Sequence, residues 1–319
     1  MSERLTLRPL GEVGAPRLER FVLSAGISRF LEERPYVQGQ RGRYLLERIA
    51  GDASDDDALA LAAVSGTSVV GLVVVRYPRW DREHFGFEVA RIEHLQGSAG
   101  ALASLTDRVL DDLGRRDVRL CSCRLSSEAL PAIEALETRG FRFREATLTP
   151  WLDLSAWRRR RQVTTRPALP DDVETMCAIA RRAFRTDRFH RDGRIAAAAA
   201  DGLYEKWVRT WHAEPRLERS SRVLLAGGAV VGFFMIELIR PLGSAGVAVA
   251  VVVLNAIDPA EAGQGFGYAL YRESLDAASK QAGFASATIA AANAPVVNLY
   301  AKLGFRISTG GELTLHRWS

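Results

Sequence analysis

A glycine-rich stretch that follows an apolar run is the part of this sequence that points most directly to chemistry. The apolar run 247–254 leads into Pro259, and glycines follow at two-residue spacing, at Gly263, Gly265 and Gly267. Apolar spacing predicts a helix from Phe266 to Gly283. Glycine lets the backbone approach an anion closely, and the N–H groups and dipole of a helix N-terminus favour negative charge. The stretch therefore predicts a strand, a phosphate-binding loop and a helix.

The spacing excludes two familiar nucleotide-binding loops. A Walker loop has Lys and then Ser or Thr after its last glycine, whereas Tyr268 and Ala269 stand here. A dinucleotide-binding loop has Gly-x-Gly-x-x-Gly, whereas this loop has Gly-x-Gly-x-Gly.

A second block, residues 293–305, predicts a short amphipathic helix. Asn293 is a plausible N-cap, and Pro295 falls in the first turn, where its missing N–H costs nothing. Gly304 fits the C-cap position. The apolar positions follow helical spacing, at Val296, Leu299, Tyr300 and Leu303.

The two blocks resemble motifs of the GNAT N-acetyltransferase superfamily, in the same order and about 30 residues apart. The loop is similar to x-Val-x-Pro-x-x-Arg-Gly-x-Gly-x-Gly, and the helix to Asn-x-x-Ala-x-x-Leu-Tyr-x-Lys-Leu-Gly-Phe. One departure is Ala262, where the superfamily often has Arg or Gln; Gln264 is the alternative side-chain donor. The resemblance implies acetyl-coenzyme A as cofactor, held by Ala256, Ile257, Asp258, Ala262, Gly263, Gln264, Gly265, Phe266, Gly267, Asn293 and Asn298.

The resemblance also implies direct acetyl transfer from the thioester to an amine. Tyr300 resembles the general acid of the superfamily, since a phenol with a pKa near 10 can protonate a departing thiolate. The alternative is that Tyr300 only packs in the apolar stripe. The three cysteines lie in neither motif, so an acyl-enzyme has no candidate nucleophile: Cys121, Cys123 and Cys177.

The general base is less clear, because the strand before the loop contains no carboxylate. In the family resemblance a Glu follows the Gly-Phe pair of the first domain, and Glu145 matches it; the alternative is a solvent-exposed Glu at a strand end. His190 is a second candidate, because neutral imidazole is a good base near neutrality, although a lone His is more often structural. Glu237 would face either the site or solvent.

Three short matches indicate an internal duplication. They recur at offsets of 158, 161 and 164 residues, pairing 7–10 with 165–168, 69–72 with 230–233, and 139–143 with 303–307. The first copy has only two glycines where the second has its loop, in residues 93–100. We therefore predict a first copy that has lost the cofactor site and either shapes the acceptor pocket or supports the second copy.

The predicted fold is α/β, with two tandem GNAT-like domains. Each is expected to contain a mixed, mostly antiparallel sheet flanked by helices. The predicted boundaries are 1–155 for the degenerate domain, 156–162 for an arginine-rich linker and 163–319 for the catalytic domain.

A narrower resemblance is to the tandem dTDP-fucosamine acetyltransferases, which acetylate a nucleotide-linked 4-amino sugar. It depends on short motifs at 80–86, 183–190 and 203–208. A sugar nucleotide needs a cation for its diphosphate and an aromatic ring for its base or sugar. The acceptor-pocket candidates, which are otherwise core aromatics and a surface Arg, are Arg188, Trp207, Trp80, His84 and Phe85.

Composition is that of a folded soluble protein, with 47% hydrophobic and 25% charged residues among 319. Only three of the 43 basic residues are lysines and the net charge is +5, so nucleic acid and membranes are not expected partners. The cysteines have neither disulfide nor metal spacing. A polar N-terminus predicts a cytoplasmic location, and an oligomer stays open.

The leading hypothesis is therefore an acetyl-CoA-dependent N-acetyltransferase for a small-molecule amine, most simply an amino group of a nucleotide-linked sugar. One alternative is a GNAT enzyme for a protein N-terminus, an amino acid or an aminoglycoside. A different class, a non-catalytic CoA-binding scaffold, is the second alternative.

Overall fold

The computed structural model describes residues 5–25, 41–157, 165–240, 247–307 and 311–319. The chain divides into two compact units. The first unit contains Met1–Ala146 and Gly310–Ser319, and the second contains Thr147–Thr309. Each unit has a mostly antiparallel sheet flanked by helices, so the predicted α/β class and paired architecture are confirmed.

In the first unit the sheet order is β1-β2-β3-β4-β5-β15-β6. The β4–β5 pair is parallel. Strand bounds are β1 Leu5–Pro9, β2 Leu59–Ser65, β3 Ser68–Arg76, β4 Val89–Gly97, β5 Leu120–Ser126, β6 Arg142–Leu148 and β15 Glu312–Trp318. Helix bounds are α1 Ala15–Ala25, α2 Arg41–Ala53, α3 Arg79–Phe85, α4 Ala99–Arg115 and α5 Leu130–Glu137.

In the second unit the sheet order is β14-β7-β12-β11-β10-β9-β8. The β11–β12 pair is parallel, and the last two residues of β6 pair with β13. Strand bounds are β7 Pro150–Asp153, β8 Thr165–Pro167, β9 Arg219–Ala226, β10 Ala229–Ile239, β11 Val249–Ile257, β12 Phe284–Ala287, β13 Ile289–Ala290 and β14 Arg306–Ile307. Helix bounds are α6 Val173–Ala183, α7 Ala197–Ala213, α8 Phe266–Ala278 and α9 Ala294–Lys302.

Both units contain the same irregularity in their central strands. One residue is left out of register in each, Glu93 between β3 and β4 and Val253 between β10 and β11. In each unit the parallel pairing with the next strand ends one residue before this bulge. The strand then continues without that parallel neighbour, over 93–97 in the first unit and 253–257 in the second. Each sheet therefore splays open at the carboxyl end of its central strand.

The observed units differ from the domain limits drawn on the sequence. Residues 150–153 precede the predicted linker, yet β7 pairs with β12 and β14 of the second unit. Residues 312–318 end the second copy, yet β15 pairs with β5 of the first unit. A strand joins the sheet in which it finds its hydrogen-bond partners, and the partners of these two strands are far away in the sequence. The arginine run of the predicted linker, 158–161, lies outside the described residues.

Candidate active site

The glycine loop is shaped by two residues in the left-handed region. After β11, the Asp258 carboxylate accepts a hydrogen bond from the Ala260 N–H at 3.1 Å and caps a 3₁₀ turn, Pro259–Glu261. Gly263 and Gly265 have φ values of +85° and +79°. Side chains are strained in that region, so glycine is required at both positions. Gly265 is the N-cap of α8, which ends at Ala278, earlier than predicted, because residues 279–283 turn into β12.

The loop faces open space with unused hydrogen-bond donors. A Cβ atom at Gly263 or Gly265 would meet no atom within 4 Å. In the part of the chain that the structure describes, the N–H groups of Gly263, Gln264 and Gly265 have no backbone acceptor. The first-turn N–H groups of a helix also lack intrahelical acceptors. This combination of donors, open space and helix dipole suits a phosphate.

Charged and amide side chains surround the glycine loop. The Gln264 amide donates to the Glu261 carboxylate at 2.6 Å, which uses one of its two N–H donors. Arg182 of α6 forms an ion pair with Asp258 at 2.6 Å. The ammonium group of Lys302 lies 4.9 Å from the ring centre of Tyr268, in the first turn of α8.

Sequence reasoning missed both of these cations. Lys302 stands inside the Leu-Tyr-x-Lys motif, so its position could have been noted. Arg182 had no such signal, because it is 76 residues before Asp258 and reaches the loop only through the packing of α6.

Helix α9 has the predicted caps, and these fix the position of Tyr300. The Asn293 side chain accepts from the Val296 N–H at 3.4 Å. Gly304 has a φ of +86°, and the Phe305 N–H donates to the Tyr300 carbonyl at 3.0 Å. This is a Schellman ending, and its hydrophobic contact is the Phe305 ring, 4.6 Å from the Tyr300 ring. Asn298 is exposed on the same helix.

The first unit ends its corresponding helix in the same way. Gly140 also has a φ of +86°, and the Phe141 N–H donates to the Leu136 carbonyl at 3.1 Å. Leu136 thus holds the position that Tyr300 holds in the second unit. The first unit therefore has no phenol at this place in its fold.

Tyr300 is completely buried and its hydroxyl belongs to a short hydrogen-bond chain. The Tyr271 hydroxyl donates to the Tyr300 hydroxyl at 2.9 Å, and the Asn255 side chain hydrogen-bonds to the Tyr271 hydroxyl. Burial raises the pKa of Tyr300 above its usual value near 10, while the hydrogen bond from Tyr271 lowers it. Burial also raises the pKa of Tyr271, and the neighbouring Tyr300 adds to that rise. Asn255 lies in the splayed section of β11, so the hydroxyls of Tyr271 and Tyr300 lie beside that section of the strand.

Trp207, one of the two acceptor-pocket candidates of the second unit, belongs to a stack of aromatic rings. Tyr204 stacks on Phe184 at 4.2 Å and on Trp207 at 6.3 Å between ring centres. Trp207 is 37% exposed and forms the outer ring of this stack. The Arg188 guanidinium lies 4.4 Å from the ring centre of Phe189.

His190 is held between two carboxylates. Its Nδ1 lies 2.5 Å from Asp187, and its Nε2 lies 2.9 Å from Asp201. Both ring nitrogens therefore face carboxylate oxygens, which accept hydrogen bonds when ionised, so neither nitrogen is left to take a proton from a substrate. The arrangement favours the structural alternative for His190, which ties the segment before α7 to that helix.

The two glutamates considered as bases have different settings. Glu145 is buried in the first unit, 3.9 Å from the guanidinium of Arg124, so it is not a solvent-exposed residue at a strand end. Glu237 accepts from Arg219 at 3.2 Å in the second unit. The catalytic role of Glu145 stays a prediction.

The remaining aromatic candidates cluster in the first unit. The Trp80 and His84 rings stack at 5.7 Å, and the His84 and Phe85 rings meet edge to face at 4.9 Å. These contacts lie within α3 and at its end.

The described residues contain no group of side chains that could hold a metal ion. All three cysteines are buried, and no disulfide joins them. Within the same residues, no helix is long and apolar enough to cross a bilayer.

Comparisons with known proteins agree with this geometry. Residues 176–305, within the second unit, match the model of the acetyltransferase (GNAT) family. No curated protein sequence matches significantly. The solved structures below share the fold at identities too low to indicate more than that.

A tandem GNAT protein from the clavulanic acid biosynthesis pathway is 15% identical, with a TM-score of 0.60 and coverage of 99% of this chain and 98% of that one. A GCN5-related N-acetyltransferase from Sphaerobacter thermophilus is 14% identical, with a TM-score of 0.65 and coverage of 100% and 96%. A GCN5-related N-acetyltransferase from Kribbella flavida is 13% identical, with a TM-score of 0.53 and coverage of 86% and 94%. Residues 176–305 are therefore similar to the GNAT acetyltransferase family, in a chain whose fold is similar to that of a tandem GNAT protein.

Proposed function

We propose that the protein is an acetyl-CoA-dependent N-acetyltransferase that transfers the acetyl group directly to a primary amine. The observation that supports this most is the open glycine loop beside the splayed section of β11. The loop offers unused N–H donors to a diphosphate, and the peptide groups of 253–257 have lost their parallel strand neighbour. A ligand with a phosphate end and an amide-containing arm matches both features.

We assign cofactor binding to the residues predicted from the sequence. The N–H groups of 263–267 would hold the diphosphate, and the backbone of 256–258 would line the arm. Acetyl-CoA supplies the activated acetyl group. A β-carbon at Gly267 would lie 3.7 Å from Leu299, an ordinary contact, so packing within the protein does not require glycine at this position.

In this reaction a bond forms between the amine nitrogen and the acetyl carbon, and the carbon–sulfur bond breaks. Tyr300 would give a proton to the departing thiolate, and a base would take the proton that the amine loses. Because the pKa of Tyr300 is raised by burial, its hydroxyl stays protonated throughout the physiological range. We propose Glu145 as the base, or as the group that holds a water between itself and the amine.

The acceptor class that we favour is the amino group of a nucleotide-linked amino sugar. The stacked rings that end in the partly exposed Trp207 offer a surface for a base or sugar. Arg188, which is near them in the sequence, would bind a diphosphate. Alternative acceptors are a protein N-terminus, an amino acid or an aminoglycoside. A non-catalytic CoA-binding scaffold would bind the cofactor and transfer nothing.

A thiol-release assay tests the proposal. Acetyl-CoA is offered with a panel of amino-sugar nucleotides, amino acids, aminoglycosides and peptides, for the native chain and for Tyr300→Phe. We expect transfer to an amino-sugar nucleotide and a loss of about 10²- to 10⁴-fold in kcat for the variant. Cofactor binding without release on any amine would support the scaffold instead. Turnover only with peptides or aminoglycosides would move the acceptor class.

A further inference from the structure

The proton of the Tyr300 hydroxyl is the least explained feature of the second unit. Tyr300 is fully buried, and its oxygen accepts a hydrogen bond from Tyr271. The hydroxyl proton itself has no acceptor among the residues that the structure describes. A buried donor without an acceptor costs stability, and a ligand atom that accepts this hydrogen bond would remove that cost.

The first unit shows that the same fold packs without this chain of hydrogen-bonded polar groups. Counting two residues on from the bulges, Asn255 in the second unit corresponds to Leu95 in the first. The Schellman endings pair Tyr300 with Leu136. In the first unit both positions are buried leucines. The polar residues therefore occur only in the unit that has the glycine loop.

We propose that Tyr271, held by Asn255, is a positioning residue that directs the free proton of Tyr300 toward the sulfur of the cofactor. This rests on the proposed function. A hydroxyl that accepts a hydrogen bond on one side can donate only in the directions left open. Tyr271 therefore decides where Tyr300 donates.

The hydrogen bond also affects how readily Tyr300 gives up its proton. Burial alone makes Tyr300 a weaker acid, because the phenolate is poorly solvated there. Donation from Tyr271 stabilises the phenolate and lowers the pKa of Tyr300, which partly offsets burial. Asn255 does the same for Tyr271. Tyr271 and Asn255 thus bring the pKa of Tyr300 closer to that of a thiol.

The pH dependence of coenzyme A binding tests this without knowledge of the amine. Coenzyme A has a thiol that titrates at about pH 8.5, as thiols generally do. Affinity is measured by calorimetry at pH 7 and pH 9.5 for the native chain, Tyr271→Phe, Tyr300→Phe and the double variant. Acetyl-CoA, which has no free thiol, is the matched ligand. Tyr77→Phe, which removes a hydroxyl bonded to Asp112 in the first unit, is the matched protein control.

For the native chain and Tyr77→Phe, coenzyme A should bind about tenfold more tightly at pH 9.5, because a thiolate accepts a stronger hydrogen bond. This gain should shrink to about threefold or less in Tyr271→Phe and vanish in Tyr300→Phe. The double variant should match Tyr300→Phe. Acetyl-CoA should show no such difference in any variant.

A full gain in Tyr271→Phe would overturn the positioning role, and so would a double variant that binds thiolate worse than Tyr300→Phe alone. Either result leaves the proposed acetyltransferase intact. A native chain that binds neither coenzyme A nor acetyl-CoA would overturn the proposed function itself, and the positioning role with it. Thermal denaturation of each variant shows whether it is folded.

Discussion

At the scale of single residues, substitution of Gly265 can distinguish what the backbone fold requires from what ligand binding requires. It has a left-handed backbone and open space where a side chain would project. Gly265→Val should weaken acetyl-CoA binding by at least tenfold, because the side chain would occupy the space of the phosphates. Gly228→Val is the matched control, since Gly228 has a φ of +85° and equally open surroundings in the β9–β10 turn. Equal weakening by both substitutions, measured by calorimetry, would point to backbone strain instead.

Glu145 is the residue whose role most needs kinetic evidence. Only the neutral amine can attack the thioester, so help from a base matters most at low pH, where more amine is protonated. Glu145→Gln should therefore lower kcat/KM mainly on the acidic limb of the pH profile. His190→Ala should leave that limb in place, because both ring nitrogens of His190 are occupied by carboxylates. The opposite pattern would make His190 the base.

His212 links folding to pH. Burial lowers its pKa below the usual 6.5, although the charge of Asp172 opposes this, and its Nε2 is buried without a hydrogen bond. Below pH 6.5 the unfolded chain binds this proton before the folded chain does, so this contribution to stability is complete above pH 6.5 and declines as pH falls toward the folded pKa. Urea unfolding at pH 7.5 and 5.5 should show a smaller loss for His212→Gln than for the native chain. An equal loss would contradict it.

At the scale of elements, the helices near the site and the strand before the loop were predictable, but the register of the strands was not. The caps of α9 are local, since Asn293 and Gly304 act on residues within five positions. The bulge at Val253 depends on the register of β10, and the end of parallel pairing depends on β12, 35 positions along the chain. The sequence of one strand does not locate a bulge in its pairing with a distant strand, so the splay is not predictable from the residue pattern. The position of Tyr271 beside Tyr300 is not predictable either, because in the sequence Tyr271 is one more residue of the predicted helix.

The strand β15 gives an element-scale prediction. Leu315 is near the end of the chain, yet it is buried in the core of the first unit opposite Cys123. Leu315→Ala should destabilise that unit by about 2–5 kcal/mol through the cavity it leaves. Hydrogen exchange should then accelerate in β4 and β5 and stay unchanged in β10 and β11. Acceleration in β10 and β11 instead would contradict the assignment of β15. Leu217→Ala, at a fully exposed position, is the control.

At the scale of the whole molecule, the duplication was visible in the sequence but its strand exchange was not. The matches at offsets of 158 to 164 residues predicted two copies, and the two bulges and two Schellman endings support them. The sequence could not show that 150–153 join the second sheet and 312–318 the first, because both strands pair with partners more than 100 residues away. The contrast between Leu136 and Tyr300 supports the prediction that only the second copy is catalytic.

The number of acetyl-CoA molecules bound per chain tests this division of roles most directly. The open loop, the splayed β11 and Tyr300 all lie within 147–309, whereas the described residues of the first unit have Leu136 and contain no comparable glycine loop between β4 and α4. Calorimetric titration of the native chain with acetyl-CoA should give one site per chain, and Gly265→Val should weaken that site. Two equal sites per chain, or one site untouched by Gly265→Val, would contradict the assignment of the cofactor to the second unit.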